Sequence, residues 1–304
     1  MVWNRKGGFP THTISANRIA VQPDGRIALA GRDCVRDRAA PRAIDPAEYN
    51  GSCIDGYVAM LDASGELLWD LHIGTSDGVD DASDLALAPS GGLYVAGSFQ
   101  APLVVPDLQP TVAFGGVDDY LLALDADGHG RWARSFGGPL HEGDGPRLSA
   151  SPSGDVGVIG NLQLGASAGF VARLDRDGNE RWRRPLPEHA FGAPAWRDDE
   201  VLLAAASSLI SFDATGNVTS HAISGGTSAS DLAVTERDRV LLYTPGAALS
   251  DIAHDGSELR RCRCPPSHCR GSTAACAPGQ MVRWRSREPR WRPPSSMPWV
   301  CPPS

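Results

Sequence analysis

The sequence predicts an all-β protein, a β-propeller of about five four-stranded antiparallel blades. The main evidence is that two hairpin-forming phrases alternate along the chain, each in five copies. The composition agrees, because 34 glycines and 24 prolines among 304 residues favour short strands and frequent turns. The hydrophobic fraction of 41% is sufficient for a sizeable core.

The first phrase is a predicted hairpin in which apolar residues alternate on both sides of a Pro-Asp-Gly or Pro-Ser-Gly turn. Alternation with a period of two indicates strands with one buried face, and glycine tolerates the positive φ of a tight turn. The turn glycines are Gly25, Gly91 and Gly154. Full copies of the phrase lie at 19–31, 85–97 and 148–160, and weaker copies lie at 193–205 and 232–244.

The second phrase is a predicted hairpin with an Asp-x-x-Gly turn and a tryptophan in its second strand. It reads LDASGELLWDLHIG at 61–74 and returns at 124–137 and 174–187, with weaker copies at 209–221 and 251–261. Its structural residues are Gly65, Gly128 and Gly178 in the turns and Trp69, Trp132 and Trp182 in the strands. One hairpin of each kind makes a unit of four strands.

A four-stranded meander cannot bury both of its faces alone, and radial stacking of five such sheets solves this problem. We expect the glycine- and alanine-rich strands to lie near the axis and the tryptophan strand to form the outer edge. The rival architecture is a two-sheet sandwich, which does not require one repeated phrase.

The N-terminus predicts how the ring closes. Trp3 precedes Gly25 by 22 residues, the same spacing as from Trp69 to Gly91, so residues 2–6 read as the fourth strand of a blade. We expect strand 2–6 to pair beside residues 250–254 and complete the last blade. The alternative is that a longer propeller sequence has been cut at both ends.

The domain boundary is predicted at residues 260 and 261. Residues 1–260 carry the repeats, whereas residues 261–304 show no strand or helix period and contain eight arginines and one glutamate. We interpret this tail as disordered or translated out of frame. Two alternatives are a basic arm that binds single-stranded nucleic acid through its tryptophans and a metal knuckle. The knuckle would use Cys262, Cys264, His268 and Cys269.

The net charge of −8 argues against nucleic acid as the partner of the folded part, because the tail is basic and the rest is strongly acidic. No apolar run is long enough to span a membrane, and no signal peptide is visible in this chain.

Three segments resemble the bacterial seven-bladed β-propeller repeat known as SBBP: GGLYVAGSF at 91–99, GGVDDYLLALDADGHGRWARSFGG at 115–138 and GFVARLDRDGNERW at 169–182. The resemblance implies a β-propeller in an exported or surface protein of a bacterium. This chain departs from it by having five units and no export signal. The Gly-x-x-x-Trp spacing is also similar to quinoprotein-type repeats, which implies that each tryptophan docks on the neighbouring blade.

Candidate chemistry is sparse. Asp77, Asp80, Asp81 and Asp84 fall in one predicted inter-blade loop, and such oxygen-rich loops suit Ca²⁺, the one cofactor considered. The alternative is a solvated loop. Cys34 and Cys53 could close a disulfide around the insertion, or remain free thiols, which peptide mapping without reductant would distinguish.

These observations favour a non-enzymatic propeller scaffold or binding module, with no catalytic residue assigned. We expect an unknown protein or carbohydrate to bind through the long loops 32–55 and 98–117, because function on repeat folds concentrates in loops of one face. The alternative is a quinoprotein-like or carbohydrate-active enzyme with a site at the central axis. Convergent Asp, His or Arg side chains at the axis would favour that alternative, and an axis lined by Ala, Val and Gly would favour the scaffold.

Overall fold

The structure is a computed structural model. It describes residues 14–33, 55–74, 80–100, 102–114, 116–137, 145–160, 169–186, 190–205, 208–223, 231–235, 239–244, 248–253 and 257–263.

These residues form five separate four-stranded sheets, the blades. Blade 1 contains β1 (Ile14–Val21), β2 (Ile27–Asp33), β3 (Asp55–Leu61) and β4 (Leu67–Ile73). Blade 2 contains β5 (Asp81–Leu87), β6 (Leu93–Phe99), β7 (Asp118–Leu124) and β8 (Gly130–Phe136). Blade 3 contains β9 (Arg147–Ala150), β10 (Val156–Gly160), β11 (Phe170–Leu174) and β12 (Glu180–Pro185). Blade 4 contains β13 (Ala190–Arg197), β14 (Glu200–Ala205), β15 (Ser208–Phe212) and β16 (Val218–Ala222). Blade 5 contains β17 (Asp231–Val234), β18 (Val240–Thr244), β19 (Ala248–Ile252) and β20 (Glu258–Arg263).

Each blade is an antiparallel meander, because its strands pair in chain order. Tight turns join the first strand to the second and the third to the fourth, and we call the end of the propeller that carries them the turn face. The remaining connections lie at the opposite end, the loop face. The predicted all-β propeller of five four-stranded blades is therefore confirmed, and no helix occurs in the described residues.

The first strands of successive blades contact one another, β1 with β5, β5 with β9, β9 with β13 and β13 with β17. They therefore surround the axis, and the fourth strands form the outer edges. This places the tryptophan strands β4, β8 and β12 outside, as expected. The glycine- and alanine-rich strands are the first and second strands of their blades.

Each outer-strand tryptophan docks on the Asp-x-x-Gly turn of the next blade. The Trp69 indole N–H donates to the Ala126 carbonyl at 3.0 Å, and the Trp132 indole N–H donates to the Arg176 carbonyl at 2.9 Å. Both rings cover a turn glycine, since a Cβ added at Gly128 would lie 2.8 Å from Trp69. The same relation holds between Trp132 and Gly178 and between Trp182 and Gly216. The turn glycine therefore creates the space that the ring fills.

Four apolar clusters fill the interfaces between consecutive blades, from blade 1 to blade 5. In the first interface, Leu122 and Val95 of blade 2 and Met60 of blade 1 are fully buried. Burying one such side chain contributes about 1.5–3 kcal/mol. The blades are therefore held together mainly by contact with their neighbours, as the repeat predicts.

The interface between blade 5 and blade 1 differs from the others in how far one inner-strand apolar residue is buried. Leu85, Leu148 and Leu232 occupy equivalent rungs of their inner strands and are 7%, 3% and 9% exposed. Ile19 has the same rung in blade 1, yet it is 63% exposed. The apolar contact that the other blades make with the preceding blade is therefore not formed at Ile19.

The predicted pairing of strand 2–6 beside residues 250–254 is wrong. The edge of β19 is occupied by β20, with Ser250 opposite Arg261 and Ile252 opposite Glu258. Arg260 lies at the rung that tryptophan has in blades 1 to 3, and backbone hydrogen bonding keeps the strand paired without it. Residues 2–6, including Trp3, lie outside the described residues.

The predicted domain boundary falls inside a strand. β20 runs from Glu258 to Arg263, so the fifth blade continues past residue 260. Residues 264–304, which include His268, Cys264 and Cys269 of the predicted knuckle, lie outside the described part of the chain.

Two turn glycines of blade 2 provide a matched test of tryptophan docking. Gly128 and Gly91 have φ values of 89° and 87°, so alanine would introduce similar backbone strain, about 1 kcal/mol, at either position. Only at Gly128 would the new Cβ meet Trp69, whereas at Gly91 its nearest neighbour would be 3.8 Å away. We expect Gly128→Ala to reduce the free energy of unfolding by about 1–3 kcal/mol more than Gly91→Ala, measured by denaturant titration. Equal losses for the two variants would contradict the docking.

Candidate functional site

Four charged side chains on the inner strands form a layer around the axis. Arg18, Asp84, Arg147 and Asp231 lie on the inner strands of blades 1, 2, 3 and 5. In each of these blades, one inner-strand residue pairs with the first residue of the second strand. Each charged residue lies three positions before that paired residue. We call these four residues the axial charge layer.

Asp84 is the structural centre of the layer. Its carboxylate accepts a hydrogen bond from Arg18 Nε at 2.6 Å and another from the backbone N–H of Leu148 at 3.0 Å. The Asp84 side chain is only 2% exposed. Because it bonds to blades 1 and 3 from its place in blade 2, Asp84 links three inner strands.

The other members keep unused hydrogen-bonding capacity. Arg147 donates to the backbone carbonyl of Ser83 at 3.1 Å and is only partly buried. Arg18 uses its Nε on Asp84 and leaves 39% of its side chain exposed. Among the described residues, the exposed Asp231 carboxylate accepts only the neighbouring Leu232 N–H, at 2.9 Å.

The environment of Asp231 disfavours its charge. Partial desolvation by the surrounding protein raises the pKa of Asp231, and repulsion from Asp84 adds to the effect. Its backbone bond with Leu232 and the attraction of Arg18 and Arg147 oppose the shift but do not cancel it. Because the side chain remains exposed, water screens the effect and the shift is small in energy.

The loop face carries the excursion 102–114, between β6 and β7 in blade 2. Leu103 and Thr111 exchange backbone hydrogen bonds of 2.8 and 3.1 Å, which close the excursion into a short two-stranded bridge. Leu103 and Val105 are buried in the cluster between blades 1 and 2. The Gly74 N–H also donates to the Val104 carbonyl at 3.3 Å, so blade 1 holds the excursion from the side.

The excursion exposes three apolar side chains, which we call the apolar tip: Val104, Val112 and Phe114, at 40%, 65% and 74% exposure. The Phe114 backbone N–H donates to the carboxylate of Asp118, which is fully buried. This bond fixes the backbone from which the Phe114 ring projects. The predicted binding loop 98–117 therefore contains a well-anchored segment with an exposed apolar surface.

The predicted Ca²⁺ residues do not share one solvated loop. β5 begins at Asp81, so Asp81 and Asp84 are strand residues, and Asp77 lies outside the described residues. Asp80 is fully buried and accepts the Gln100 N–H, while Asp81 bonds to Asn17 and Arg32. Within the described ranges, no group of three or more His, Cys, Asp or Glu residues is arranged to hold a metal ion.

The turn residues have local structural roles. The turn glycines Gly25, Gly65, Gly91, Gly128, Gly154 and Gly178 all have positive φ. In the second hairpin of blade 2, the Asp125 carboxylate accepts the N–H groups of His129 and Asp127, both at 2.9 Å. These bonds favour the ionised carboxylate and lower the pKa of Asp125. The Asp-x-Asp-Gly sequence is therefore a turn with an aspartate cap.

The other predicted binding loop, 32–55, is described only at its two ends. Asp33 and Asp55 are opposite each other in β2 and β3. Cys34, Cys53 and the segment between them lie outside the described residues, so the disulfide remains a prediction.

A polar cleft of about 440 Å³ lies on the turn face between blades 3 and 4. Arg173 crosses its floor, where it bonds to Asp155 Oδ2 at 2.8 Å and also pairs with Asp199. Arg181 adds an ion pair with Asp155 at 3.1 Å. The charges of the floor are thus paired with one another, which indicates a structural network.

The sequence comparisons indicate similarity to propeller proteins. The family described as outer membrane protein assembly factor BamB matches residues 117–261. A comparison with proteins of curated function found no match. The matched range covers blades 3 to 5 and two strands of blade 2.

Solved structures support the same fold. Virginiamycin B lyase from Staphylococcus aureus, in a catalytically inactive form with quinupristin, has a TM-score of 0.53 at 10% identity, over 84% of this chain and 72% of that chain. A selenomethionine form of that lyase has a TM-score of 0.51 at 12% identity, over 82% and 70%. At such identities the likeness shows the fold alone. This chain is a β-propeller repeat protein.

No helix in the described residues is long and apolar enough to cross a membrane.

Asp231→Asn tests the electrostatics of the axial charge layer. Since the pKa of Asp231 is raised in the folded protein, ionisation of this carboxylate weakens folding as pH rises through that pKa. The variant should therefore unfold at a slightly higher denaturant concentration than wild type at pH 7. Its free energy of unfolding should be higher by less than about 1 kcal/mol. The difference should disappear below the pKa of the unfolded carboxyl, about 3.9. A variant less stable than wild type at pH 7 would contradict this account.

Proposed function

We propose that this chain is a non-enzymatic, protein-binding propeller module of an exported or surface protein of a bacterium, and that it binds through the apolar tip. The observation that carries the proposal is the contrast within the excursion: Leu103 and Val105 are buried, while Val104, Val112 and Phe114 are exposed.

The apolar tip has the properties of a protein-binding surface. An exposed group of large apolar side chains is unfavourable in water unless a partner covers it. Aromatic anchors also contribute a large share of binding energy at protein interfaces. The backbone bridge and the buried leucine hold the tip before binding, which lowers the entropy lost on association.

The comparisons support a protein partner and a location outside the cytoplasm. The matching family is described as an assembly factor for outer membrane proteins. The SBBP-type resemblance of residues 91–99, 115–138 and 169–182 agrees with such a location. Binding of a protein, rather than a carbohydrate, is the version we propose, because the apolar tip offers few polar groups for a sugar.

An enzyme with a site at the axis is the second candidate, and the axial charge layer is the observation that favours it. The expected sign of such a site was convergent Asp, His or Arg side chains, and two Asp and two Arg converge here. However, the described inner strands contain no histidine or cysteine to serve as general base or nucleophile.

The test is capture of partners from the source bacterium by immobilised wild type and by a Val112→Ser, Phe114→Ala double variant. We expect the double variant to lose its specific partner, with at least tenfold lower recovery by quantitative mass spectrometry, because each apolar anchor contributes about 1–3 kcal/mol. Its thermal unfolding should be unchanged, since both side chains are exposed.

Val218→Ser is the matched control, because Val218 is 54% exposed but lies on β16, away from the excursion. This control should retain the partner. Equal recovery by the double variant and wild type, or equal losses in the double variant and the control, would overturn the proposal.

A further inference from the structure

We infer that the axial charge layer is a binding site for a small dipolar ligand that carries both an ammonium and a carboxylate group. In this site Arg147, supported by Arg18, binds the carboxylate end, and Asp231 binds the ammonium end. The site is separate from the apolar tip and does not depend on its function.

The fold itself determines where the charges of the layer lie. Its four members occupy equivalent positions on the inner strands of blades 1, 2, 3 and 5. Each of these four blades therefore presents its charged side chain at the same height along the axis. Arginine and aspartate alternate from blade 1 to blade 3, and blade 5 adds a second aspartate. Blade-to-blade packing therefore positions these charges, which is the rigid support that a binding site requires.

Asp84 has a structural role in the proposed site and does not bind the ligand itself. Its bonds to Arg18 Nε at 2.6 Å and to the Leu148 N–H at 3.0 Å satisfy both carboxylate oxygens. These bonds orient the Arg18 guanidinium and hold β9, the strand that carries Arg147. Asp84 also offsets one arginine charge, so the layer has no net charge.

Among the residues that the structure describes, Asp231 and Arg147 are the members of the layer with hydrogen-bonding capacity left for a ligand. Asp231 is exposed, and among the described residues its carboxylate accepts only the Leu232 N–H. Arg147 uses one nitrogen on the Ser83 carbonyl and has further N–H groups to donate. Arg147 and Asp231 thus occupy the same position on the inner strands of blades 3 and 5, and a ligand at the axis can pair with both.

Because the layer contains two positive and two negative side chains, it favours a ligand that carries both charges. A simple anion gains from Arg147 but approaches Asp231 without compensation, and a simple cation meets the reverse situation. A molecule with both charges satisfies both ends, and its two charge-assisted hydrogen bonds are of the strong kind. Guanidinium also matches the planar carboxylate through two parallel bonds.

The retention of Asp231 in an unfavourable environment agrees with a binding role. A carboxylate with a raised pKa contributes negatively to folding at neutral pH, as described above for Asp231→Asn. Groups whose pKa is perturbed by their environment are concentrated at functional sites.

The experiment is an NMR titration of the ¹⁵N-labelled full chain with β-alanine, γ-aminobutyrate and ε-aminocaproate, zwitterions of increasing length. Butyrate and butylamine are the single-charge controls. We expect at least one zwitterion to shift the amide resonances of the inner strands at Leu148 and Leu232, with an affinity at least tenfold above both controls. The length that binds best would measure the gap between Arg147 and Asp231.

Variants identify the groups. Asp231→Asn and Arg147→Gln should each weaken binding of the preferred zwitterion about 10- to 100-fold, the effect expected for one hydrogen bond to a charged group. Asp177→Asn and Arg131→Gln are matched controls, because this weak surface pair lies at 3.8 Å on the outer part of blades 2 and 3. Both controls should bind as wild type does.

The inference is overturned if no zwitterion shifts the inner-strand resonances, or if butyrate or butylamine binds as tightly. Unchanged binding by Asp231→Asn would also overturn it, because that variant should remain folded. Loss of the apolar-tip partner leaves these outcomes unaffected, so failure of the two proposals can be distinguished.

Discussion

The fold depends on the docking of each outer-strand tryptophan against the turn glycine of the next blade. The contact has two requirements, a backbone with positive φ and a turn with no Cβ under the ring, and glycine meets both. Trp69 on Gly128 and Trp132 on Gly178 also place an indole N–H on a backbone carbonyl of the same turn. The Trp182 ring docks on Gly216 in the same way, although its indole N–H has no hydrogen-bond partner among the described residues. The ring-on-glycine contact repeats at the first three interfaces, where it packs each blade against the next in the same way.

The position of every functional candidate follows from that arrangement. In each blade the connections between the first and second and between the third and fourth strands lie on one face, and the remaining connections, including the excursion 102–114, lie on the loop face. The apolar tip therefore lies on the loop face, and the axial charge layer lies on the inner strands that surround the axis. The polar cleft on the turn face has its charges paired, as with Arg173 and Asp155.

The repeated phrases predicted the blades and their number because period-two alternation and turn glycines are local signals. The axial charge layer was missed, although Arg18, Asp84 and Arg147 each precede a turn glycine by seven residues. Charge at that position varies in sign between blades, so it does not register as a repeat. The prediction that Asp81 and Asp84 lie in a loop was wrong, because strand pairing with β6 extends farther than the composition of that segment suggested. Closure by strand 2–6 beside 250–254 was wrong because the Arg260 strand pairs through its backbone, which is independent of the missing tryptophan.

The most direct test of tryptophan docking is an NMR measurement of nuclear Overhauser effects between the Trp132 indole ring and the α-protons of Gly178. The account predicts strong effects for this pair, and for Trp69 with Gly128, because each ring lies directly over its glycine. Contacts of both indoles only with residues of their own blades would contradict the account, since the blades would then be held together in another way.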